Sequence, residues 1–343
     1  MTPASGLPDL KSLTLNQLTA LGVKRDWPRY RAGQLFKWLW QKSARSFDVM
    51  TNLSKTCRAE LSQEFSISFL EPEAVIHDND GSAKARFRLP DGVAVESVYI
   101  PDADRHTICV SAQAGCPLGC AFCYTGRQGF NRNLVWHEIA GQVQAMQHAL
   151  DFNATNVVFM GMGEPFLNPN AVYDAIRTVN AECGLGIGAR HITVSTAGIP
   201  DAIRDFARFP LQCRLALSLN AADDETRSRL MPVNHRFPLP DVLDAVREYV
   251  TITRRRVTFE YVMLKGINDR ETDLRNLSLL LKGIPCKLNL IPFNPFPGSE
   301  LMPPAPAVIR RFAETLYPLL PAVTVRKSKG SAILAGCGQL AVQ

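Results

Sequence analysis

Cys116, Cys120 and Cys123 carry the densest chemical signal in the chain, within the run Gly115-Cys-Pro-Leu-Gly-Cys-Ala-Phe-Cys-Tyr124. Iron–sulfur clusters are ligated by cysteine thiolates, and a [4Fe–4S] cube has four irons to ligate. Three thiolates at Cys-x3-Cys-x2-Cys spacing fill three corners and leave the fourth iron open to a small molecule. Such an open iron points to chemistry rather than electron storage. Structural zinc is the competing use, but it pairs Cys-x2-Cys with a second Cys or His pair downstream, and none follows here. A disulfide framework fits poorly, because nine cysteines is an odd count and nothing marks the chain as secreted.

Further residues of chemical type lie downstream. Gly161-Met-Gly163-Glu164-Pro165 reads on its own as a tight strand-to-helix turn. Cys337, in Ala335-Gly-Cys-Gly-Gln-Leu340, is either a small packing residue or a thiol on a flexible, exposed loop that the flanking glycines allow. Cys109 shares a strand face with Thr107 and Ser111 by two-residue alternation. It is either buried and inert or turned toward the site.

These residues need a frame. The first 70 residues read as helical: Gln34-Leu-Phe-Lys-Trp-Leu-Trp40 has helical apolar spacing, and another helix starts near Ser54. Residues 72–100 switch to extended character, with Asp91-Gly92 as a hairpin signal between Ala85–Leu89 and Val93–Ile100. From residue 105 strands alternate with helices. The candidate strands are Thr107–Ala112, Asn156–Met160, His191–Ser195, Arg214–Leu219, Val257–Met263 and Lys287–Ile291, with helices such as Trp136–Leu150, Asn170–Glu182 and Leu239–Thr251 between them. Such alternation means parallel strands with crossover helices. Six units predict an open, partial (β/α)6 barrel in an α/β fold. Gln113–Phe130, Gly161–Pro165, Ser195–Gly198, Ser218-Leu219-Asn220 and Pro292–Pro295 all follow strands directly, so they meet at one rim, where parallel α/β folds bind ligands.

Composition bounds the rest. The chain of 343 residues is 46% hydrophobic and 20% charged, as expected of a folded protein. No apolar run reaches the roughly 18 residues that span a bilayer, and no signal-peptide pattern opens the chain. A membrane partner is therefore not expected, and a reducing, cytoplasmic setting is. The net charge of +6 resides in residues 1–60, which hold ten Lys/Arg and four Asp/Glu. A basic segment beside a neutral body suggests a polyanion partner, nucleic acid being the commonest. An ordinary solvated face accounts for the same charges.

Together these motifs resemble the RlmN/Cfr family of radical S-adenosylmethionine (SAM) RNA methyltransferases. The likeness covers nearly the whole chain, through Tyr30–Leu39, Met50–Ser54, Val95–Pro101, Gln128–Asn133, Arg229–Asn234 and Cys337–Leu340. It implies a basic helical RNA-binding accessory domain over 1–72, a β-hairpin extension over 73–104, and a radical SAM core with a C-terminal methyl-carrier loop over 105–343. It also implies that Cys116, Cys120 and Cys123 hold a [4Fe–4S] cluster. Gly163 and Glu164 would meet the SAM ammonium, the Ser195 and Ser218-Leu219-Asn220 segments its carboxylate and ribose, and Asn294 its adenine.

By the same resemblance Cys337 carries the methyl group, Cys109 resolves the adduct and Glu96 accepts a proton. From its surroundings in sequence, Glu96 does not differ from a solvated strand carboxylate. Two SAM molecules are used per turnover: one methylates Cys337, and the other yields a radical that takes hydrogen from that methyl. The resulting methylene radical adds to an electron-poor adenine carbon, and the adduct then loses an electron and a proton, the proton to Glu96. Cys109 then attacks the Cys337 sulfur, leaving a transient disulfide.

The expected product is C2-methyladenosine in 23S rRNA, with tRNA as a further candidate. C8 methylation, a non-RNA substrate and a non-enzymatic RNA-binding protein are the alternatives. An electron-donating reductase or flavodoxin-type protein is the expected partner of a monomer. Lys24, Arg25, Arg29, Arg31 and Lys37 would hold phosphates, with Arg254–Arg256 and Arg326–Lys329 extending the track. The chain departs from the family pattern at Asn220, where His is usual, and at Ala332, where an acid is usual.

Overall fold

The computed structural model describes residues 6–342. Residues 1–5 and Gln343, which belong to the first and last expected segments, lie outside it. The N-terminal apolar spacing closes into α1 (Leu15–Lys24), α2 (Arg31–Trp40) and α3 (Lys55–Glu64). Leu35, Phe36, Leu39 and Trp40 of α2 are buried on one face. Burying each such side chain stabilises by about 1.5–3 kcal/mol. Ser54 caps α3, its Oγ accepting from Cys57 N at 3.2 Å.

Three antiparallel strands follow: β1 (Pro72–His77), β2 (Ala83–Arg88) and β3 (Ala94–Asp102). The Asp91-Gly92 turn joins β2 to β3, as its dipeptide signal predicts, with Gly92 at φ +87°. β3 pairs antiparallel with β4 (Arg105–Cys109), so the extension continues the barrel sheet. The cysteine loop lies between β5 (Gln113–Gly115) and β6 (Phe130–Asn133), with the short α4 (Tyr124–Arg127) inside it.

The alternating units then run α5 (Trp136–Leu150), β7 (Asn156–Phe159), α6 (Pro169–Asn180), β8 (Ile192–Thr196), α7 (Pro200–Ala207), β9 (Arg214–Ser218), α8 (Asp224–Leu230) and α9 (Leu239–Thr253). They end with β10 (Val257–Met263), α10 (Glu271–Leu280), β11 (Cys286–Pro292), α11 (Pro306–Leu316) and β12 (Val323–Val325). The ten-stranded sheet has the order β1-β2-β3-β4-β7-β8-β9-β10-β11-β12, and pairing is parallel from β4 onward. This is an open barrel of parallel α/β units, with the helical region at its N-terminus. β12 is a seventh parallel strand beyond the six read from the sequence. With three residues, it is too short to show a period.

β4 ends at Cys109 rather than Ala112. Beyond it the chain leaves regular pairing to follow the turn after β7: Val110 N donates to Val158 O and Ala112 N to Met162 O, each at 2.9 Å. Along β10, Phe259 and Tyr261 enter the core against the helices, while Thr258, Glu260 and Val262 face the concave side. The same alternation runs through Arg214, Ala216 and Ser218 of β9 and Lys287, Asn289 and Ile291 of β11. The N-terminal helices dock on α5 through Lys11. Its buried Nζ donates to Gln144 Oε1 at 2.6 Å and sits 4.5 Å from the Trp40 ring centroid.

Candidate active site

One cleft at the carboxyl end of the parallel strands gathers most of the residues singled out by type. Cys116, Cys120 and Cys123 line it with Gly163, Glu164, Ser195, Ser218, Asn220 and Cys337. Burial pushes the Cys116 thiol up to about 12 and the Cys120 thiol well above the usual range, and neighbouring cysteines raise both further. Thiols so placed are protonated near neutrality unless a metal draws off their protons. Cys123 is also raised by burial, against hydrogen bonds from the Gly126 and Thr125 backbone and the Thr125 hydroxyl that favour its thiolate. Among the described residues, no three His, Cys, Asp or Glu side chains converge on one ion position. A cluster that gives each thiolate its own iron needs no such convergence. The thiol set, its backbone donors and the cleft beside it fit that group.

The opposite wall is the turn after β7. Gly163 has φ +95°, and a Cβ there would lie 2.4 Å from Gln113 Cβ. Only glycine lets the chain pass so close. Gln113 Oε1 accepts from Glu164 N at 2.8 Å. The Glu164 carboxylate accepts from Phe166 N at 3.0 Å and Ala197 N at 2.7 Å. Burial raises its pKa to about 6 against those donors. A fixed carboxylate at this wall is a ready acceptor for an ammonium group.

Asn220 has φ +58°, the left-handed region that asparagine tolerates better than most residues. Its Oδ1 accepts from Val262 N at 2.9 Å, tying the end of β9 to β10. Leu219 is wholly buried. Asn294 does not line the cleft; it stands behind the Cys337 segment. There its Nδ2 donates to Cys337 O at 3.2 Å and its Oδ1 accepts from Ser328 Oγ at 2.5 Å.

The segment bearing Cys337 is pinned, so of the two readings its glycines allowed, the packed one describes it and the flexible loop does not. Tyr124 N donates to Gly338 O at 2.7 Å, Gln339 Nε2 to Pro295 O at 2.6 Å, and Thr125 Oγ1 to Leu340 O at 2.5 Å. The glycines serve close approach instead: a Cβ on Gly336 would lie 2.8 Å from Asn294 Nδ2. Cys337 thus stands on a wall shared by the cleft and a smaller recess that contains Cys109, Met160 and Arg326. Burial pushes Cys109 up to about 12, with Cys337 adding to the rise. Burial also raises Cys337, and Arg326 opposes it. All nine cysteines are free thiols.

Glu96 lies on the other side of this segment. Its Oε1 is 3.1 Å from Lys84 Nζ and its Oε2 accepts from Ala341 N at 3.0 Å. Burial raises its pKa above the usual carboxylate value, with Lys84 pulling the other way. The backbone of Gly330 donates to Asp80 Oδ2 at 2.8 Å and that of Ala332 to Asp78 Oδ2 at 3.0 Å. Two acids of the β1–β2 turn therefore anchor the stretch where Ala332 departs from the family pattern.

Three residues of the site escaped sequence reasoning. Glu260 on β10 accepts from Ser195 Oγ at 3.2 Å and faces Arg326 at 3.7 Å. The alternation of Thr258, Glu260 and Val262 was the available signal. Arg326 turns into the recess rather than outward with Lys327 as part of a phosphate track. Arg227 is fully buried behind the cleft, where Nη1 donates to Asn234 Oδ1 at 2.7 Å, Nε to Leu219 O at 3.1 Å and Nη2 to Ser218 O at 3.3 Å and to Ala197 O. No local pattern marks it.

A parallel α/β sheet with a three-cysteine loop at the carboxyl end of its first parallel strand defines a radical SAM protein, and the family described as the radical SAM superfamily matches residues 110–277. The family described as the ribosomal RNA large subunit methyltransferase N-terminal domain matches residues 8–67. The dual-specificity RNA methyltransferase RlmN of Pelobacter propionicus is 47% identical, over 97% of this chain and 95% of its own. The protein of that name from Geobacter sulfurreducens is 44% identical over 97% and 91%. The crystal structure of a radical SAM methyltransferase from Sphaerobacter thermophilus superposes with a TM-score of 0.91 at 43% identity, covering 97% of this chain and 99% of that one. The chain belongs to the RlmN family of radical SAM methyltransferases. Membership implies a [4Fe–4S] cluster and SAM.

Proposed function

We propose that the protein methylates C2 of an adenosine in 23S rRNA, and in tRNA, through an S-methylcysteine on Cys337. The observation that carries this reading is the position of Cys337 between the cleft of the three cysteines and the recess of Cys109. Cys116, Cys120 and Cys123 would hold the cluster, and Gly163, Glu164, Ser195 and Ser218-Leu219-Asn220 would hold or frame SAM, while Asn294 braces the Cys337 backbone. Cluster and SAM, when bound, supply a methyl donor and one-electron cleavage of a sulfonium, with two SAM molecules used per turnover. Cys337 takes the methyl as a thiolate nucleophile, and Arg326 favours that thiolate. Glu96, with its raised pKa, is suited to accept the proton lost from the ring. Cys109 then attacks the Cys337 sulfur, so that the methylated base leaves and a disulfide remains. An outside reductant restores the two thiols.

The names of the relatives and of the N-terminal family support an RNA substrate from the large ribosomal subunit. The basic residues of 1–72 then form an RNA-binding accessory segment, 73–104 an extension that carries Glu96, and 105–343 the catalytic core. A cytoplasmic monomer served by a flavodoxin-type reductase completes the reading. Among the described residues, no helix is long and apolar enough to cross a membrane.

Anaerobic incubation of the reconstituted protein with methyl-labelled SAM tests it. Label is expected on Cys337 and at adenosine C2, and Cys337→Ala should lose both. An alanine variant that still methylates RNA would overturn the carrier role, and label at C8 would overturn the regiochemistry.

A further inference from the structure

The mouth of the barrel opposite the cysteine loop carries a second constellation. At the amino-terminal ends of β8–β11, Arg190, Arg214, Arg255, Arg256 and Lys287 surround one open recess, with the Thr258 hydroxyl among its lining. No carboxylate lines it. Nearby ion pairs employ other cations: Arg105 with Asp102, Arg204 with Glu248, Arg247 with Asp244 and Arg326 with Glu260. Among the described residues, none of the five recess cations is in an ion pair, although Lys287 lies close enough to the buried Glu260 carboxyl to favour its charged form.

Two of the five are held without being neutralised. Arg190 Nε donates to Gln212 Oε1 at 3.1 Å. Arg255 Nη1 donates to Cys213 O at 2.5 Å, and its guanidinium lies 5.5 Å from the Tyr249 ring centroid. Arg214 on β9 and Lys287 on β11, the two strands flanking β10, occupy concave-face positions in register with Thr193 and Thr258. The field of Arg256, Arg105, Arg326 and Arg214 adds to burial in pulling the Lys287 ammonium below its ordinary range.

Like charges gathered in a concavity repel one another, and they raise the local concentration of anions. Guanidinium forks match phosphate oxygens two at a time, and ammonium and hydroxyl donors fill the remaining lone pairs. We propose that this recess binds two or more neighbouring phosphate groups, at a site separate from the SAM cleft. The phosphates come from the backbone of an RNA, a source that rests on the function proposed above, or from a free polyphosphate chain.

Calorimetric titration of the reconstituted holoprotein with inorganic tripolyphosphate tests the site. Saturable one-to-one binding is expected. It should weaken at least tenfold in the double variant Arg214→Gln/Lys287→Gln and stay unchanged in Arg275→Gln, an exposed control on α10. The double variant should melt at or above the wild-type temperature, because repulsion has been removed. Should it fail to fold, Arg256→Gln, an exposed position, should weaken binding at least threefold. A linear heat trace, or equal affinity in the folded variants, overturns the proposal. Competition with a 20-nucleotide single-stranded RNA separates the sources. Displacement of tripolyphosphate assigns the recess to an RNA backbone, and its absence assigns it to a free polyphosphate. Binding is read without turnover, so failure of methyl transfer and failure of this site remain distinguishable.

Discussion

The two ends of the same parallel strands follow opposite electrostatic rules. At the carboxyl end nearly every charge is buried and answered. Glu164 accepts from two backbone N–H groups, Arg227 donates to carbonyls at the ends of β8 and β9, Glu260 meets Ser195 and Arg326, and Glu96 meets Lys84. At the amino end the cations are largely exposed and face one another. Groups fixed in a low-dielectric wall need no reorganisation when a ligand arrives, which suits chemistry. Exposed, unpaired charge suits capture of an anion from water. One barrel therefore presents a preorganised mouth and an attracting one.

The largest expected effect tests the preorganised end. Arg227→Met strips donors from Ser218, Leu219, Ala197 and Asn234 at once, and each buried acceptor left unsatisfied costs about 1–3 kcal/mol. A loss of about 4 kcal/mol in urea unfolding is expected. A loss under about 1 kcal/mol would show that water replaces the guanidinium and that the wall is not rigid.

Lys11 is an intermediate case, a buried cation that meets Gln144 and two aromatic rings, with Asp9 favouring its charge and Arg45 opposing it. Burial lowers its pKa from 10.5 to about 8. Between those values the unfolded chain holds a proton that the folded one has released, so stability should rise with pH across that window. Below about pH 8 the full cost of burying the charge is present. The rise is at most about 3 kcal/mol. Lys11→Met should abolish it in denaturation curves compared at pH 7.5 and 10, and an unchanged rise would assign it to other groups.

Gly163→Ala should have the smallest effect on stability, about 2 kcal/mol of local strain. Its function should suffer more, with SAM binding at least tenfold weaker in equilibrium titration. Wild-type affinity would mean that Gln113 yields easily and that the wall adapts to its ligand.

Much of this frame is legible along the chain, because strand–helix alternation and the cysteine spacing are local patterns. Val257–Met263 and Trp136–Leu150 are found with the bounds their periodicity predicts. The rim segments could be grouped because parallel strands all end on one side. Arg227 and Arg326 could not be found this way. Their roles depend on which carbonyls and thiols lie across from them, and those belong to elements distant in sequence. The glycines around Cys337 left two readings open for the same reason. A glycine permits both looseness and tight approach, and only its neighbours decide which.

The sequence by itself determined the order of elements, the three-cysteine loop and the rim to which the polar turns belong. Each follows from short-range sterics, periodicity or spacing. The tertiary structure decided that Cys337 is held between two cavities, that Glu260 faces Arg326, and that five cations share the opposite mouth. Those facts arise from sheet register and curvature, which bring together side chains that no local pattern links.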